Sequence, residues 1–194
     1  MRLILASASP RRRELLKNAG LDFEVRPSAV VERAAAGELP EEFARRAARE
    51  KALDVAAAAP AGTLVLGADT VVAIGNEILG KPAGAADAAR TLQKLSGATH
   101  RVITGVCLVR APANIEAEEH ETTRVTFRRL DEKEIAEYLD TSEPFDKAGA
   151  YGIQGFASRF VTRIEGCYFN VVGLPVARVV GSLKPLLAGC SGAR

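Results

Sequence analysis

Short apolar runs and helix-forming segments alternate along the chain, and that order predicts an α/β fold. Three stretches carry the reading. Arg2 to Ala6 (R-L-I-L-A) is a brief apolar run of the kind that makes a buried strand, and a polar loop and a helix signal follow it. Pro40 to Ala59 is rich in Ala with acidic residues in its first turn, the pattern of a helix. Thr63 to Ile74 (T-L-V-L-G-A-D-T-V-V-A-I) is the most apolar segment and reads as a central strand.

The elements follow in order. Ser9 at the N-cap, Pro10 in the first helical position and Gly20 just past the end bracket the first helix. Leu21 to Pro27 alternates as a second strand, and Ser28 to Leu39 is a polar connection containing V-V-E-R. Pro60-Ala61-Gly62 ends the Ala-rich helix. After the central strand, Gly75-Asn76 marks a turn and Glu77 to Leu79 a short return strand. Ala85 to Leu95 is a helix closed by Ser96-Gly97. Thr99 to Arg110 and Ile115 to Arg128 form an antiparallel pair around the loop Ala111 to Asn114, and Asp131 to Leu139 is an amphipathic helix. Glu143 to Gly155 (E-P-F-D-K-A-G-A-Y-G-I-Q-G) is too rich in glycine for a helix interior or a plain strand, and suits a loop that approaches a ligand closely. Strands are expected near Arg159 to Ile164 and Tyr168 to Val172. Gly173 to Leu187 forms a last helix with an interruption at Pro185, and Gly189 to Arg194 a disordered tail. Residues 1–188 are expected to make one α/β domain.

Composition narrows the function. Residues are 47% hydrophobic and 26% charged with a net charge of +2, so the basic excess of a nucleic-acid binder is missing. The few aromatics are not interleaved with basic residues, which removes a base-stacking platform. Cys107, Cys167 and Cys190 are odd in number and widely spaced, which argues against a disulfide framework or a zinc site and for a reducing cytoplasm. Ala6-Ser7-Ala8 has the look of a signal-peptide cleavage site, but the apolar run before it is too short. No run reaches membrane-spanning length.

Chemistry-bearing residues emerge from these apolar segments. Ser7, Ser9, Arg11 and Arg12 gather at a helix N-terminus, where free N–H groups and two arginines make an anion site. Asp69 and Thr70 sit inside a β-branched strand, and a carboxylate there is costly unless paired or bound to a cation. G-N-E-I-L-G-K-P fits the phosphate-binding P-loop pattern except that Pro82 replaces the hydroxyl residue, so that reading is rejected while Lys81 stays a phosphate ligand. His100 and His120 lack an obvious Ser or Cys partner, which leaves them structural or solvent-facing. Arg and Lys side chains suit a polyphosphate, and Asp and Glu the hard cation that accompanies it. Together with Glu32, Lys51, Lys147 and Gln154, these residues favour hydrolysis of a nucleoside polyphosphate.

L-I-L-A-S-A-S-P-R-R, Glu50-Lys51, G-A-D-T-V-V, G-K-P, L-S-G-A-T-H, and E-P-F-D-K-A-G-A-Y-G-I-Q-G through V-V-G-L-P closely resemble the Maf family of nucleoside triphosphate pyrophosphatases. The likeness runs from about Leu3 to about Pro175. One departure is Val31, where that family usually has an acidic residue; Glu32 is retained.

The resemblance implies an elongated mixed β-sheet with flanking helices, in two lobes around a central cleft, similar to inosine triphosphate pyrophosphatases. It implies cleavage between the α and β phosphates with a divalent cation, Mg2+ or Mn2+. By the same resemblance Asp69 is the proton acceptor, Glu32 and Asp69 hold the metal, and Ser9, Arg12, Lys51 and Lys81 bind the triphosphate. Arg11, Thr70 and Gln154 match members selective for dTTP and UTP, whereas members selective for 7-methyl-GTP carry Trp, Gln and Glu there. An amide at Gln154 offers one donor and one acceptor to the carbonyl and N3–H of thymine or uracil, where Glu offers only acceptors. The expected partners are the triphosphate and, through the family, a second copy in a homodimer, with no nucleic acid and no membrane. The alternatives are the same chemistry on modified or methylated nucleotides and, in a different class, a nucleotide-binding regulator of septum formation without useful catalysis. The role of Lys147 is open: a phosphate contact, or a support for its loop through Asp69 or Glu143.

Overall fold

The structure is a computed structural model that describes residues 2–141 and 143–188; the expected tail at 189–194 lies outside the described residues. The described chain divides into two compact units. The first takes residues 2–69, 104–121 and 173–188, the second residues 70–103 and 122–172.

In the first unit, β1 (Leu3–Leu5) pairs in parallel with β2 (Glu24–Val25) on one side and with β3 (Leu64–Ile74) on the other. Between β1 and β2 lies α1 (Pro10–Asn18), capped by Ser9 Oγ, which accepts from the Arg12 amide at 3.4 Å. The strand expected over Leu21 to Pro27 shrinks to the two exposed residues of β2, which pair with Ile4 and Leu5 of β1.

The helix α2 (Pro40–Ala57) lies on the sheet through its small residues. A Cβ built on Gly67 would fall 2.1 Å from the Ala48 carbonyl oxygen, and one on Gly105 would fall 2.0 Å from that of Ala44. Two glycines under a face of Ala44, Ala47, Ala48 and Ala52 let helix backbone rest directly on strand backbone. The core there is correspondingly fine-grained, with Ile4, Ala6, Val55, Val65, Cys107 and Val109 around those alanines. The last helix, α6 (Val176–Ala188), runs through Pro185 without a break. Only one backbone bond, that to the Gly181 carbonyl, is forfeited so near the helix end.

In the second unit the later part of β3 pairs antiparallel with β4 (Glu77–Leu79). The helix α3 (Ala85–Leu95) follows, then β5 (Thr99–Arg110) and β6 (Asn114–Phe127), each contributing residues to both units. Hydrogen-bonded neighbours run in the order β2-β1-β3-β5-β6 and then β7 (Val161–Glu165), with β4 beside β3. The three residues between β5 and β6 allow only an antiparallel hairpin. β7 pairs antiparallel with β6.

The core of this unit is aromatic. Phe127 meets His100, Tyr151 and Phe160 edge-on at ring-centroid distances of 5.0, 4.8 and 5.9 Å. Tyr138, on α4 (Glu132–Leu139), meets Phe160 at 5.3 Å. The glycine-rich stretch is not a plain loop, for it winds through 3-10 turns at Glu143–Asp146 and Ala148–Ala150, with another at Phe156–Phe160. Gly149, at φ 70, brings the second of these onto Val72, where a Cβ would fall 2.8 Å from a side-chain methyl.

One expected strand is a helix. Tyr168–Val172 forms α5, bracketed by Gly166 (φ 122) and Gly173 (φ 133). Asn170 decides it. Its buried amide donates to the Val102 carbonyl at 2.9 Å and to Thr123 Oγ1 at 3.0 Å. Five apolar-rich residues have no period that separates the two structures, and the tertiary bond selects one. Among the described residues no helix is long and apolar enough to cross a membrane.

Candidate active site

Asp69 sits where the strand pattern placed it, inside β3 and 4% exposed. Its Oδ1 accepts from Lys51 Nζ at 2.7 Å, and the same ammonium contacts Glu32 Oε1. Lys51 is itself only 8% exposed. A position on a helix of alternating charge would ordinarily be a solvated face, yet here the helix turns this lysine onto the sheet. Burial raises the Asp69 pKa above the usual carboxylate range; Lys51 and then Arg12 pull it back, and Glu32 adds to the rise. The result is a carboxylate more basic than a surface aspartate.

Arg12 is buried beside this pair and locked in place. Its Nε donates to the Gly173 carbonyl at 2.9 Å, and Nη1 donates to the Ala68 carbonyl at 2.9 Å and to Ser7 Oγ at 3.1 Å. Burial lowers its pKa while Asp69 and Glu32 oppose that shift, so the guanidinium charge is felt at both carboxylates. Ser7 Oγ also accepts from the Ser9 amide at 3.2 Å. Ser9 and Arg11, both half-buried, stand at the first turn of α1. The first unit thus brings together Ser7, Ser9, Arg11, Arg12, Glu32, Lys51 and Asp69.

The 28–39 segment that carries Glu32 has no regular structure of its own, and α2 holds it at both ends. Asp54 Oδ2 accepts from Ser28 Oγ at 2.7 Å and from the Ala29 amide at 3.0 Å. On the far side of Glu32, Arg46 donates to the Arg33 carbonyl at 2.9 Å and to both oxygens of Glu38 at 2.7 and 2.8 Å. These bonds take the Glu38 pKa down to about 2. Sequence reasoning missed Arg46 and Asp54 as supports; the available signal was their spacing with Glu50 on one helical face. Val31, the departure from the family pattern, is exposed.

The remaining expected residues belong to the second unit. Thr70 follows Asp69 on β3 and points to the opposite face of the strand. Lys81 is exposed in the irregular segment between β4 and α3; no helix starts at it, in keeping with the rejected P-loop. Gln154 is exposed on a turn. Lys147 supports its own loop, its Nζ donating to the Glu143 carbonyl at 2.7 Å and to Asp146 Oδ1 at 2.5 Å. Neither Asp69 nor the Glu143 carboxylate is its partner in these bonds.

Both histidines are outside this constellation. His100 is 1% exposed, bonded through Nε2 to Tyr151 Oη at 2.8 Å, and burial drives its pKa down to about 4. It is a neutral core residue. His120 is half-buried on β6.

A buried carboxylate that shares one lysine with a second carboxylate, backed by an arginine and a serine-rich helix start, is the equipment of an enzyme that handles phosphates. Residues 2–186 match the model of the Maf family, described as Maf-like protein, and the chain belongs to that family. It is 58% identical over 184 residues to a dTTP/UTP pyrophosphatase of Koribacter versatilis (strain Ellin345), covering 95% of this chain and 94% of that protein. A dTTP/UTP pyrophosphatase of Anaeromyxobacter dehalogenans (strain 2CP-C) is 49% identical over 185 residues, covering 94% and 93%. A HAM1 protein from Coxiella burnetii aligns over all of both chains with a TM-score of 0.48 at 15% identity.

Proposed function

We propose that this protein hydrolyses dTTP and UTP between the α and β phosphates, releasing the nucleoside monophosphate and pyrophosphate, as a cytoplasmic housekeeping enzyme of the nucleotide pool. One observation carries the chemistry: Asp69 is buried in a strand, raised in basicity by that burial, and held in place by Lys51. The relatives' activity toward dTTP and UTP supports the choice of substrate.

Asp69 accepts the proton of the attacking water, and a base of raised pKa does this better near neutral pH than an ordinary aspartate. The water oxygen bonds to the α phosphorus while the bond from that phosphorus to the bridging oxygen breaks, and its electron pair leaves on the pyrophosphate oxygen. Ser9, Arg12, Lys51 and Lys81 take the phosphate oxygens, and their fixed charges stabilise the negative charge that grows in the transition state. Gln154 reads the N3–H and carbonyl edge of the pyrimidine, with Arg11 and Thr70 completing the selection.

Glu32 and Asp69 also fit a divalent cation such as Mg2+ or Mn2+. Both carboxylates reach the Lys51 ammonium, so their oxygens face one shared cationic position. That matches magnesium-type binding, in which one or two carboxylates share the ion with substrate phosphates. When bound, the ion would neutralise phosphate charge.

Pyrophosphate release measured side by side on dTTP, UTP, 7-methyl-GTP and ITP tests the proposal. dTTP and UTP should turn over fastest, and faster turnover of either purine overturns the pyrimidine assignment.

A further inference from the structure

The turn that presents Gln154 stands on a single carboxylate. Gly152 to Gly155 closes as a β-turn, the Gly155 amide donating to the Gly152 carbonyl at 3.2 Å. Ile153 is buried beneath it and Gln154 is exposed at its third position. Glu143 Oε2 accepts from the Phe156 amide at 2.9 Å, just past the turn. Its other oxygen, Oε1, accepts from Tyr138 Oη at 3.1 Å and lies against Gly152, where a Cβ would fall 3.2 Å from it. Both ends of the turn therefore rest on the Glu143 carboxylate, one by a hydrogen bond and one by close packing.

The surroundings leave this carboxylate little freedom. A Cβ built on Gly155 would fall 2.2 Å from Glu143 Oε2, so the turn presses on the carboxylate as only glycine allows. Tyr138 and Phe156, the two groups that donate to Glu143, are stacked with ring centroids 5.6 Å apart. Lys147 holds the Glu143 carbonyl from behind at 2.7 Å. Glu143 has no role in the hydrolysis proposed above.

We infer that Glu143 is a positioning residue for base selection, holding the 152–156 turn so that the Gln154 amide meets the pyrimidine edge in one orientation. This rests on the reading that Gln154 discriminates the base. An exposed amide on a loose turn could rotate to offer donor or acceptor to any base, and ordering it on binding would consume affinity. Tying both ends of the turn to one carboxylate removes that freedom before the ligand arrives.

The test compares Gln154→Ala, Glu143→Ala, Glu143→Gln and Tyr138→Phe in the full chain with dTTP, UTP, CTP and GTP as substrates. Gln154→Ala should cut kcat/KM for dTTP and UTP by about 30-fold while CTP and GTP change little. Glu143→Ala should reproduce that selectivity loss, mainly through KM, and speed hydrogen exchange at the Phe156 amide. Glu143→Gln, which keeps one acceptor oxygen, and Tyr138→Phe, which removes only the bond to Oε1, should fall between. An equal loss on all four triphosphates in Glu143→Ala makes Glu143 a general structural residue and overturns the inference. Unchanged selectivity in Glu143→Ala alongside a collapse in Gln154→Ala also overturns it. If Gln154→Ala itself leaves selectivity intact, the underlying reading fails first and the inference with it.

Discussion

The two units solve opposite packing problems, and the difference shows where chemistry and recognition can be placed. The first is packed with alanine and glycine, backbone against backbone, around the buried charges of Asp69, Lys51 and Arg12, with the exposed Glu32 at their edge. The second is packed with aromatic rings and presents a neutral amide, Gln154, on an exposed glycine-rich turn. Charges that must be more reactive than in water need to be dry, and close-packed small residues leave no room for water beside them. A reader of a flat base edge must meet the ligand, so it stays outside while the rings behind it supply rigidity. The first unit therefore puts its costly groups inside and the second keeps its useful group out.

The largest test of this contrast is Asp69→Asn. Loss of the proton acceptor should lower pyrophosphate release by about 10³-fold, yet the variant should melt above wild type at pH 7. The sign follows from the raised pKa. A carboxylate whose folded pKa lies above its unfolded one adds stability below the unfolded value and loses it as pH rises through the folded value, so at neutral pH the ionised group is a burden. A lower melting temperature would show that the charge is stabilising and break the comparison.

Lys51→Met should act the other way. It leaves two carboxylates without the ammonium they share, and should cost about 3 kcal/mol in urea denaturation at neutral pH. Stability equal to wild type would mean that Arg12 alone neutralises the pair.

His100 gives the second unit an opposite pH response. Its folded pKa of about 4 lies below the unfolded value, so its contribution is complete above about pH 6.5 and is lost as pH falls toward 4. That loss amounts to about 3 kcal/mol across the window. His100→Gln keeps a partner for Tyr151 but does not titrate; stability measured from pH 7 to 4 should fall less steeply in that variant, though from a lower start. Parallel slopes would remove His100 as the cause.

The smallest effect on stability belongs to the most exposed group. Gln154→Glu should lower kcat/KM for dTTP and UTP by about 10-fold and leave the melting temperature within ~2 °C. A melting shift much beyond that would make Gln154 part of the packing and erase the contrast between the units.

Much of this was legible in residue order. Ser9-Pro10 and Gly20 mark their helix ends because caps and breakers act locally, through one residue's own backbone preferences. Asp69 declared itself because a carboxylate in a run of β-branched residues has no cheap structural reason to be there. Lys51 did not, since a lysine on an Ala-rich helix looks the same whether it faces water or a strand. Tyr168 to Val172 misled for a related reason: the bond from Asn170 to Val102 and Thr123 that makes it helical joins residues far apart in the chain.

By itself the sequence determined the alternation of strands and helices, the family, the central strand with its embedded carboxylate and the amide on a glycine-rich turn. All of these depend on neighbours in the chain or on residue type. Tertiary structure decided that Lys51 is shared by Asp69 and Glu32, that Arg12 is spent on the Ala68 and Gly173 carbonyls as well as on charge, and that Glu143 carries the turn presenting Gln154. Those are pairings between residues more than ten positions apart, and a side chain's burial and partner are set by what folds against it.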